Sequence, residues 1–263
     1  MADPASWAQE ALPPAVGGVL ILSSPFLGSF LALVAQRWAQ ERPFLWTRSA
    51  CESCGRVLGP LELVPLVSYL LLRARCRGCK APIPWSLAAT EAVALGLALW
   101  AAAVLGPGVT GGVAAATAVL AVVLVLLALI DARTFLLPDA LTLPLILAGL
   151  GVTAWLDPAA LRAHALAAVF GYGVIWLIAE TYRRLRGRDG LGLGDAKLLA
   201  AAGAWLGPLA LPSVLFIGAA SGLVAAGLAR AGGQAITLTS ALPFGPFLAF
   251  GIWVTWLHGP LRF

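Results

Sequence analysis

The feature that most limits how this chain can fold is a series of eight apolar runs, most of them long enough to cross a lipid bilayer. They occupy residues 16–35, 87–105, 112–130, 140–156, 161–181, 196–209, 211–229 and 241–257. A transmembrane helix needs about 20 mostly apolar residues. Only 11% of the residues are charged, whereas soluble domains carry about 25%. The sequence therefore predicts an all-α polytopic membrane protein with about eight transmembrane helices.

Basic residues are concentrated in two polar segments, which set the predicted orientation. The first lies between the first and second runs and the second follows the fifth run; their basic residues are Arg37, Arg42, Arg48, Arg56, Arg73, Arg75, Arg77 and Lys80, and Arg183, Arg184, Arg186 and Arg188. The positive-inside rule places both segments in the cytoplasm. The net charge of +5 comes mainly from these loops. It indicates membrane topology and contact with anionic lipid, not binding of nucleic acid.

The chain is predicted to have three parts. Residues 1–36 contain the first transmembrane span, residues 37–85 form a small cytoplasmic insertion, and residues 86–263 form a transmembrane bundle. No Lys or Arg precedes Arg37, so the first run is expected to be a retained span and not a cleaved signal peptide. The insertion is so small that a metal ion or disulfides are expected to stabilise it.

The insertion contains every cysteine of the chain, arranged as two Cys-x2-Cys pairs with 21 residues between them: Cys51, Cys54, Cys76 and Cys79. This spacing is typical of zinc ribbons, so the four thiolates are expected to hold one structural Zn²⁺ in a closed site. Gly55 and Gly78 are expected to allow the tight turns. A redox role would require an oxidising compartment, which the predicted cytoplasmic placement disfavours. Metal-free thiols remain a third possibility.

Two aspartates stand at the edges of apolar runs, where an isolated charge is costly. Asp131 follows the run 112–130 and Asp195 precedes the run 196–209. A charge at the centre of a membrane helix costs about 2.5–3.5 kcal/mol on insertion scales, so such residues usually have a function or a partner. The predicted topology brings both to the cytoplasmic side. We therefore expect a shared site and test it first as an aspartic dyad.

Each aspartate taken alone has a simpler explanation. It could cap a helix or form an interfacial ion pair, for instance with Arg133 or Lys197. Asp139, just before an apolar run, is expected to be a helix N-cap. Lys197 is expected to extend toward lipid headgroups; alternatively, it steadies the region of Asp195.

Four motifs in order resemble those of type IV prepilin peptidases, which belong to the GxGD class of intramembrane aspartic proteases. The motifs are Gly28-Ser29-Phe30-Leu31, Asp131 with six residues before Pro138-Asp139, Gly192-Leu-Gly194-Asp195-Ala-Lys197, and Pro243-Phe-Gly-Pro246. The cysteine insertion also fits, and the resemblance extends over residues 28–250.

The resemblance implies a membrane aspartic endopeptidase with Asp131 and Asp195 as the catalytic pair. Such enzymes remove the leader of type IV prepilins and of the pseudopilins of type II secretion, on the cytoplasmic side of the bacterial inner membrane. Their partners would be these substrates and lipid. Many members then N-methylate the new N-terminus with S-adenosylmethionine. Glu91 aligns with an acidic position of the family that could contact substrate or methyl donor; alternatively, it pairs with a loop arginine.

The sequence departs from the family pattern only in the part linked to methylation. Ala32 replaces the usual asparagine, Glu52 stands where proline is common, and residues 86–88 read Ser-Leu-Ala in place of Arg-Tyr-Pro. A peptidase without methyltransferase activity therefore remains an alternative. A proton-coupled transporter is another, although it would place its carboxylates near the midplane, often in duplicated halves.

Overall fold

The computed structural model describes residues 10–41, 49–187, 192–233 and 242–261. Most of these residues are helical, and turns and loops join the helices. We number the α-helices in chain order: α1 Pro14–Ala39, α2 Val67–Leu71, α3 Trp85–Leu105, α4 Gly111–Thr134, α5 Asp139–Leu156, α6 Leu161–Arg186, α7 Leu193–Leu206, α8 Leu211–Ala231 and α9 Gly245–His258. Of the predicted basic residues, Arg42, Arg48 and Arg188 lie outside the described residues, as does the side chain of Arg186.

Each predicted apolar run forms a helix, so the predicted fold class is confirmed. Among the described residues, six helices are long and apolar enough to cross a membrane: α1, α3, α4, α5, α6 and α8. The other two, α7 and α9, have 14 residues each and are about 21 Å long at 1.5 Å per residue. That is shorter than the hydrocarbon core, which is about 30 Å thick.

The chain divides into two compact units, Met1–Thr117 and Ala118–Phe263. In the first unit, α1 packs along α3. The two helices meet at Gly28, where a Cβ atom would lie 2.8 Å from the Cβ of Ala94 and 2.9 Å from the carbonyl oxygen of Thr90. Such small residues allow helix backbones to approach closely in membranes.

In the second unit, α7 is the central helix and packs against α5, α6, α8 and α9. Most of its side chains are buried. A Cβ atom on Gly203 would lie 2.4 Å from the backbone of Ala167, which shows how closely α7 approaches α6. The indole N–H of Trp205 donates a 2.8 Å hydrogen bond to the carbonyl oxygen of Leu145 in α5. Because neighbouring helices cover it, this short helix does not need to span the bilayer by itself.

Candidate functional site

Asp131 lies in the last turn of α4, which continues past the predicted end of the apolar run to Thr134. Its side chain is buried, with the residue only 5% exposed. Its Oδ2 accepts a 2.9 Å hydrogen bond from the backbone N–H of Gly245, at the start of α9. A Cβ atom on Gly245 would lie 2.7 Å from that same oxygen. Only glycine therefore allows α9 to begin this close to the carboxylate.

Asp195 lies in the first turn of α7 and is 8% exposed. The backbone N–H of Gly192, the residue preceding the helix, donates a hydrogen bond to its carboxylate. Gly194, the residue before Asp195, packs against Leu137. A Cβ atom on Gly194 would lie 2.8 Å from the Cβ of Leu137. Leu137 belongs to the segment that connects Asp131 to α5. The missing side chain of Gly194 thus lets the two aspartate motifs come into contact.

The structure brings the two aspartates together. Their carboxyl groups are near enough for Asp131 to act electrostatically on Asp195. Three helix ends form this site: the C-terminal end of α4 and the N-terminal ends of α7 and α9. Two neighbouring carboxyl groups that are both shielded from water do not readily carry two negative charges. The arrangement can hold one proton between two acids, as aspartic dyads do.

Asp139 is not the helix cap that the sequence predicted. Pro138 occupies the N-cap position of α5, and no side chain caps this helix. The Asp139 carboxylate instead forms an ion pair with Lys197, two residues after Asp195 in α7. The prediction that Lys197 simply extends toward headgroups is therefore wrong. The ion pair connects the N-terminal parts of α5, which begins at the end of the Asp131 motif, and of α7, which contains Asp195.

The four cysteines form a compact cluster in the insertion. The sulfur atoms of Cys51, Cys54, Cys76 and Cys79 all lie within 4.8 Å of one another. Those of Cys51 and Cys79 are 3.8 Å apart. Four sulfurs bound tetrahedrally to zinc at about 2.3 Å would be about 3.8 Å apart. The geometry therefore fits one tetrahedral ion with four thiolate ligands.

The two cysteine pairs sit on loops with the same backbone pattern. The N–H of Cys51 donates to the carbonyl of Arg56, and the N–H of Cys76 donates to that of Ala81. Four residues after the first cysteine, each loop has a left-handed residue: Gly55 with φ 71° and Lys80 with φ 61°. The sequence therefore predicted Gly55 correctly, but in the second loop the strained position is Lys80 and not Gly78.

Hydrogen bonds from the backbone prepare one thiol to bind a cation. The N–H groups of Cys79 and Gly78 lower the pKa of Cys76 to about 6. For Cys79 itself, the N–H of Ala81 lowers the pKa, but the neighbouring Cys54 thiol and burial outweigh it and raise the pKa to about 11. The cluster by itself therefore does not carry four negative charges near neutral pH. A bound dication would allow all four thiols to ionise.

Glu91 lies in the second turn of α3, buried to 5% exposure. Its Oε2 accepts a 2.8 Å hydrogen bond from the backbone N–H of Leu66 in the insertion. Leu66 has φ 59°, a strained conformation for a residue with a side chain. The α-carbon of Glu91 also faces Gly28 of α1, since a Cβ there would lie 3.1 Å away. The contact that the structure shows for the Glu91 carboxylate is thus a backbone amide and not an arginine.

Two further acidic residues have polar partners. Glu180 pairs with Arg183 and Arg184 on α6, three and four residues away, as residues on one face of a helix can. Glu52, which departs from the family pattern, accepts a hydrogen bond from Gln36 near the end of α1. It therefore attaches the first cysteine loop to the first span.

Sequence reasoning missed two contacts that define the site. The Gly245 N–H was not expected to reach Asp131, because a backbone donor has no residue-type signature; the only indication was the motif Pro243-Phe-Gly-Pro246. The ion pair between Asp139 and Lys197 joins residues 58 positions apart. Its only indication was that a negatively charged residue ends the first aspartate motif and a positively charged residue ends the second.

The apolar helices and the buried aspartate pair define the chain as a multi-pass membrane protein with an aspartate-pair site. Its polar insertion adds a four-thiol cluster. The chain belongs to the type IV leader peptidase family. Residues 118–227 match that family, and residues 22–105 match the bacterial peptidase A24 N-terminal domain.

Several curated relatives carry the name prepilin leader peptidase/N-methyltransferase. The chain is 46% identical to one from Burkholderia pseudomallei over 204 residues, which is 78% of this chain and 65% of that relative. One from Aeromonas hydrophila is 36% identical over 280 residues, with 95% of this chain and 93% of the relative covered. One from Dickeya chrysanthemi is 36% identical, with 88% of each covered. The match thus spans about two thirds of the Burkholderia protein's length. No solved structure matches the chain.

Proposed function

We propose that this chain is a membrane aspartic endopeptidase that removes the leader from type IV prepilins or pseudopilins. The observation that carries the proposal is the buried pair of Asp131 and Asp195, formed by two helix ends that a glycine contact holds together. The family match and the names of the relatives agree with this activity.

The chemistry follows from two adjacent carboxyl groups sharing a proton. The ionised carboxylate takes a proton from a water molecule, and the water oxygen bonds to the scissile carbonyl carbon. The protonated partner donates a hydrogen bond to the carbonyl oxygen and stabilises the charge that develops there. The proton then passes to the leaving amine as the peptide bond breaks. Since the pair titrates as a unit, base and acid are properties of the dyad and not of one residue.

The basic loops support the proposed placement in the membrane. Arg183 and Arg184 lie at the end of α6, the helix that precedes α7 and Asp195. Under the positive-inside rule this end of the bundle faces the cytoplasm of a bacterial inner membrane. The substrate would then be cleaved at the cytoplasmic surface.

A proton-coupled transporter is a poorer fit to the same residues. The two aspartates lie at helix ends, at residues 131 of Gly111–Thr134 and 195 of Leu193–Leu206. Transport sites usually lie near the bilayer midplane, where discontinuous helices of two repeats meet.

A second activity, N-methylation of the new N-terminus, is proposed from the relatives' shared name. S-adenosylmethionine would supply the methyl group. Glu91 stays the candidate for contact with substrate or methyl donor. The thiol cluster would hold Zn²⁺ as a structural ion, because four thiolates leave no open coordination position for chemistry.

One assay tests the proposed peptidase directly. The purified full-length chain is incubated in detergent with a prepilin-like peptide, and the products are analysed by mass spectrometry. We expect a single cut that releases the leader, and no cut by the Asp131→Asn or Asp195→Asn protein. Cleavage that survives both substitutions would contradict the proposal, and methylation of the product appears in the same spectrum.

A further inference from the structure

Four basic side chains surround an open cavity in the cysteine insertion, and neither the aspartate pair nor the thiol cluster accounts for it. The cavity has a volume of about 590 Å³ and is lined by Leu71, Leu72, Arg73, Arg75, Arg77 and Lys80. We call it the basic cavity. We propose that the basic cavity binds the phosphate headgroup of an anionic phospholipid, while the neighbouring leucines enter the interfacial region of the bilayer.

No carboxylate neutralises the basic cavity in the part of the chain that the structure describes. None of its four basic side chains forms an ion pair within the described part of the chain. Glu62 is near enough to feel the charge of Arg77, but its carboxylate is bound to Arg56 and to the N–H of Gly59. Like charges placed together repel one another. A bound anion would remove this repulsion.

The backbone beside the basic cavity is strained as well. Arg73 has φ 51° and Ala74 has φ 55°, so two consecutive residues with side chains adopt a left-handed conformation. Neither belongs to a cysteine loop. A 2.8 Å hydrogen bond from the N–H of Ala74 to the carbonyl of Tyr69 helps to hold the turn. Strain of this kind is concentrated at binding and active sites.

The basic cavity lies close to the point where the chain enters a transmembrane helix. Arg75 forms an antiparallel bridge with Pro82, and the N–H of Ile83 donates a 2.7 Å hydrogen bond to the carbonyl of Ala74. The helix α3 begins two residues later, at Trp85, whose side chain is exposed. Basic clusters next to a membrane helix attract anionic lipid headgroups.

Exposed leucines next to the cavity favour a lipid over a soluble anion. Leu70 is 73% exposed and Leu71 is 78% exposed, and both belong to the short helix α2. Apolar side chains beside basic ones are typical of surfaces that lie in the membrane interface. A soluble phosphate would leave these leucines in water. S-adenosylmethionine is also a poorer ligand, because its sulfonium and ammonium groups outweigh its one carboxylate and four cations would repel it.

The test measures binding of phosphatidylglycerol to the purified full-length chain in detergent, by native mass spectrometry. The variant Arg75→Gln with Lys80→Gln removes two charges from the cavity. The matched control Arg183→Gln with Arg184→Gln removes two charges from the end of α6. At about fivefold for each basic side chain near an anionic surface, we expect the cavity variant, which loses two, to bind phosphatidylglycerol about 25-fold more weakly. The control variant should bind nearly like the wild type, because Arg183 and Arg184 are already paired with Glu180.

A third variant and two further measurements make the result decisive. Leu70→Gln with Leu71→Gln should weaken binding of phosphatidylglycerol but not of glycerophosphoglycerol, which has no acyl chains. Binding to the wild type should weaken as the salt concentration is raised. This measurement does not require the cavity variant to fold. Equal losses in the cavity and control variants, or no effect of salt, would overturn the proposal. The proposal would also be overturned if inorganic phosphate or S-adenosylmethionine, at the same concentration as the lipid, displaced all of the bound lipid.

Discussion

The backbone N–H of Gly245 donates a 2.9 Å hydrogen bond to Oδ2 of Asp131, a residue 114 positions earlier in the chain. The amide belongs to the first residue of α9 and therefore also presents the positive end of a helix to the carboxylate. This contact orients one acid of the pair from a helix that carries neither aspartate. The helix α9 is thus part of the proposed active site through its backbone.

Gly245→Ala should therefore lower the rate of cleavage with little change in fold. The added methyl group would lie 2.7 Å from Oδ2 of Asp131, so either the carboxylate or α9 has to move. A displacement of about 1 Å at a catalytic group can cost about 100-fold in rate. Steady-state kinetics should show the loss in kcat more than in KM.

The matched control for this prediction is Gly227→Ala. Gly227 lies in the helix α8, and no atom lies within 4 Å of a Cβ placed there. This variant should cleave like the wild type. Equal activity of the Gly245→Ala protein would show that the hydrogen bond does not position the dyad.

Asp131→Asn and Asp195→Asn should each reduce cleavage by orders of magnitude. An amide cannot share the proton that the pair needs, and removing one member of a catalytic unit usually costs nearly as much as removing both. Asp157→Asn is the control, because this exposed residue follows the C-terminal end of α5, whereas the segment from Asp131 leads into its N-terminal end. Circular dichroism should show all three proteins folded. Residual activity above about a tenth, a barrier change below about 1.4 kcal/mol, would refute the assignment.

The sequence was sufficient to predict the helices and the pair of aspartates, because both depend on apolar context along the chain. The lengths of the apolar runs gave each helix to within a few residues, and the charges of Asp131 and Asp195 stood out against them. The ends were less certain: α4 runs on to Thr134, and α7 ends at Leu206, before the predicted 209. Pro208 and Gly207 end α7 there, since proline lacks the N–H that another turn requires.

What the sequence could not predict are contacts made by backbone groups and between distant residues. The N–H of Leu66 reaches Glu91 only because the chain turns sharply at Pro65, with φ 59° at Leu66. Lys80 adopts the left-handed conformation that residue preference assigns to glycine. Such contacts result from tertiary packing, which a pattern of residue types does not contain.

The purified protein should contain one zinc ion per chain, held by four sulfur atoms. X-ray absorption should give zinc–sulfur distances of about 2.3 Å. Cys51→Ser with Cys54→Ser should lose the metal and make the insertion sensitive to protease, while the bundle stays intact. The control is Ser53→Ala, which changes a residue between these two ligands and should keep the metal. A protein without metal whose cysteines form disulfides in native membranes would favour a redox role instead.

Substitutions at Glu91 separate a positioning role from a direct contact with the methyl donor. Glu91→Gln keeps an oxygen that can accept the hydrogen bond from Leu66, so the insertion should stay in place. Glu91→Leu leaves a buried N–H without a partner, which costs about 1–3 kcal/mol, and should lower the thermal stability of the insertion. If Glu91 acts by position, methylation should survive the Gln change and fail with Leu. If it acts by its charge, both variants should lose methylation equally, and cleavage should continue in either case.

Methylation, where it occurs, should follow cleavage and should depend on pH through the new N-terminus. A leader peptide blocks the amine that attacks the methyl group, and this amine must be unprotonated to react. The pKa of a free α-amino group is about 7.7–8.0, so the rate should rise about tenfold per pH unit below this range and level off above it. The measurement incubates cleaved and uncleaved substrate with labelled S-adenosylmethionine. Label on uncleaved substrate would reverse the order of the two steps, and cleavage without any label would identify the chain as a peptidase alone.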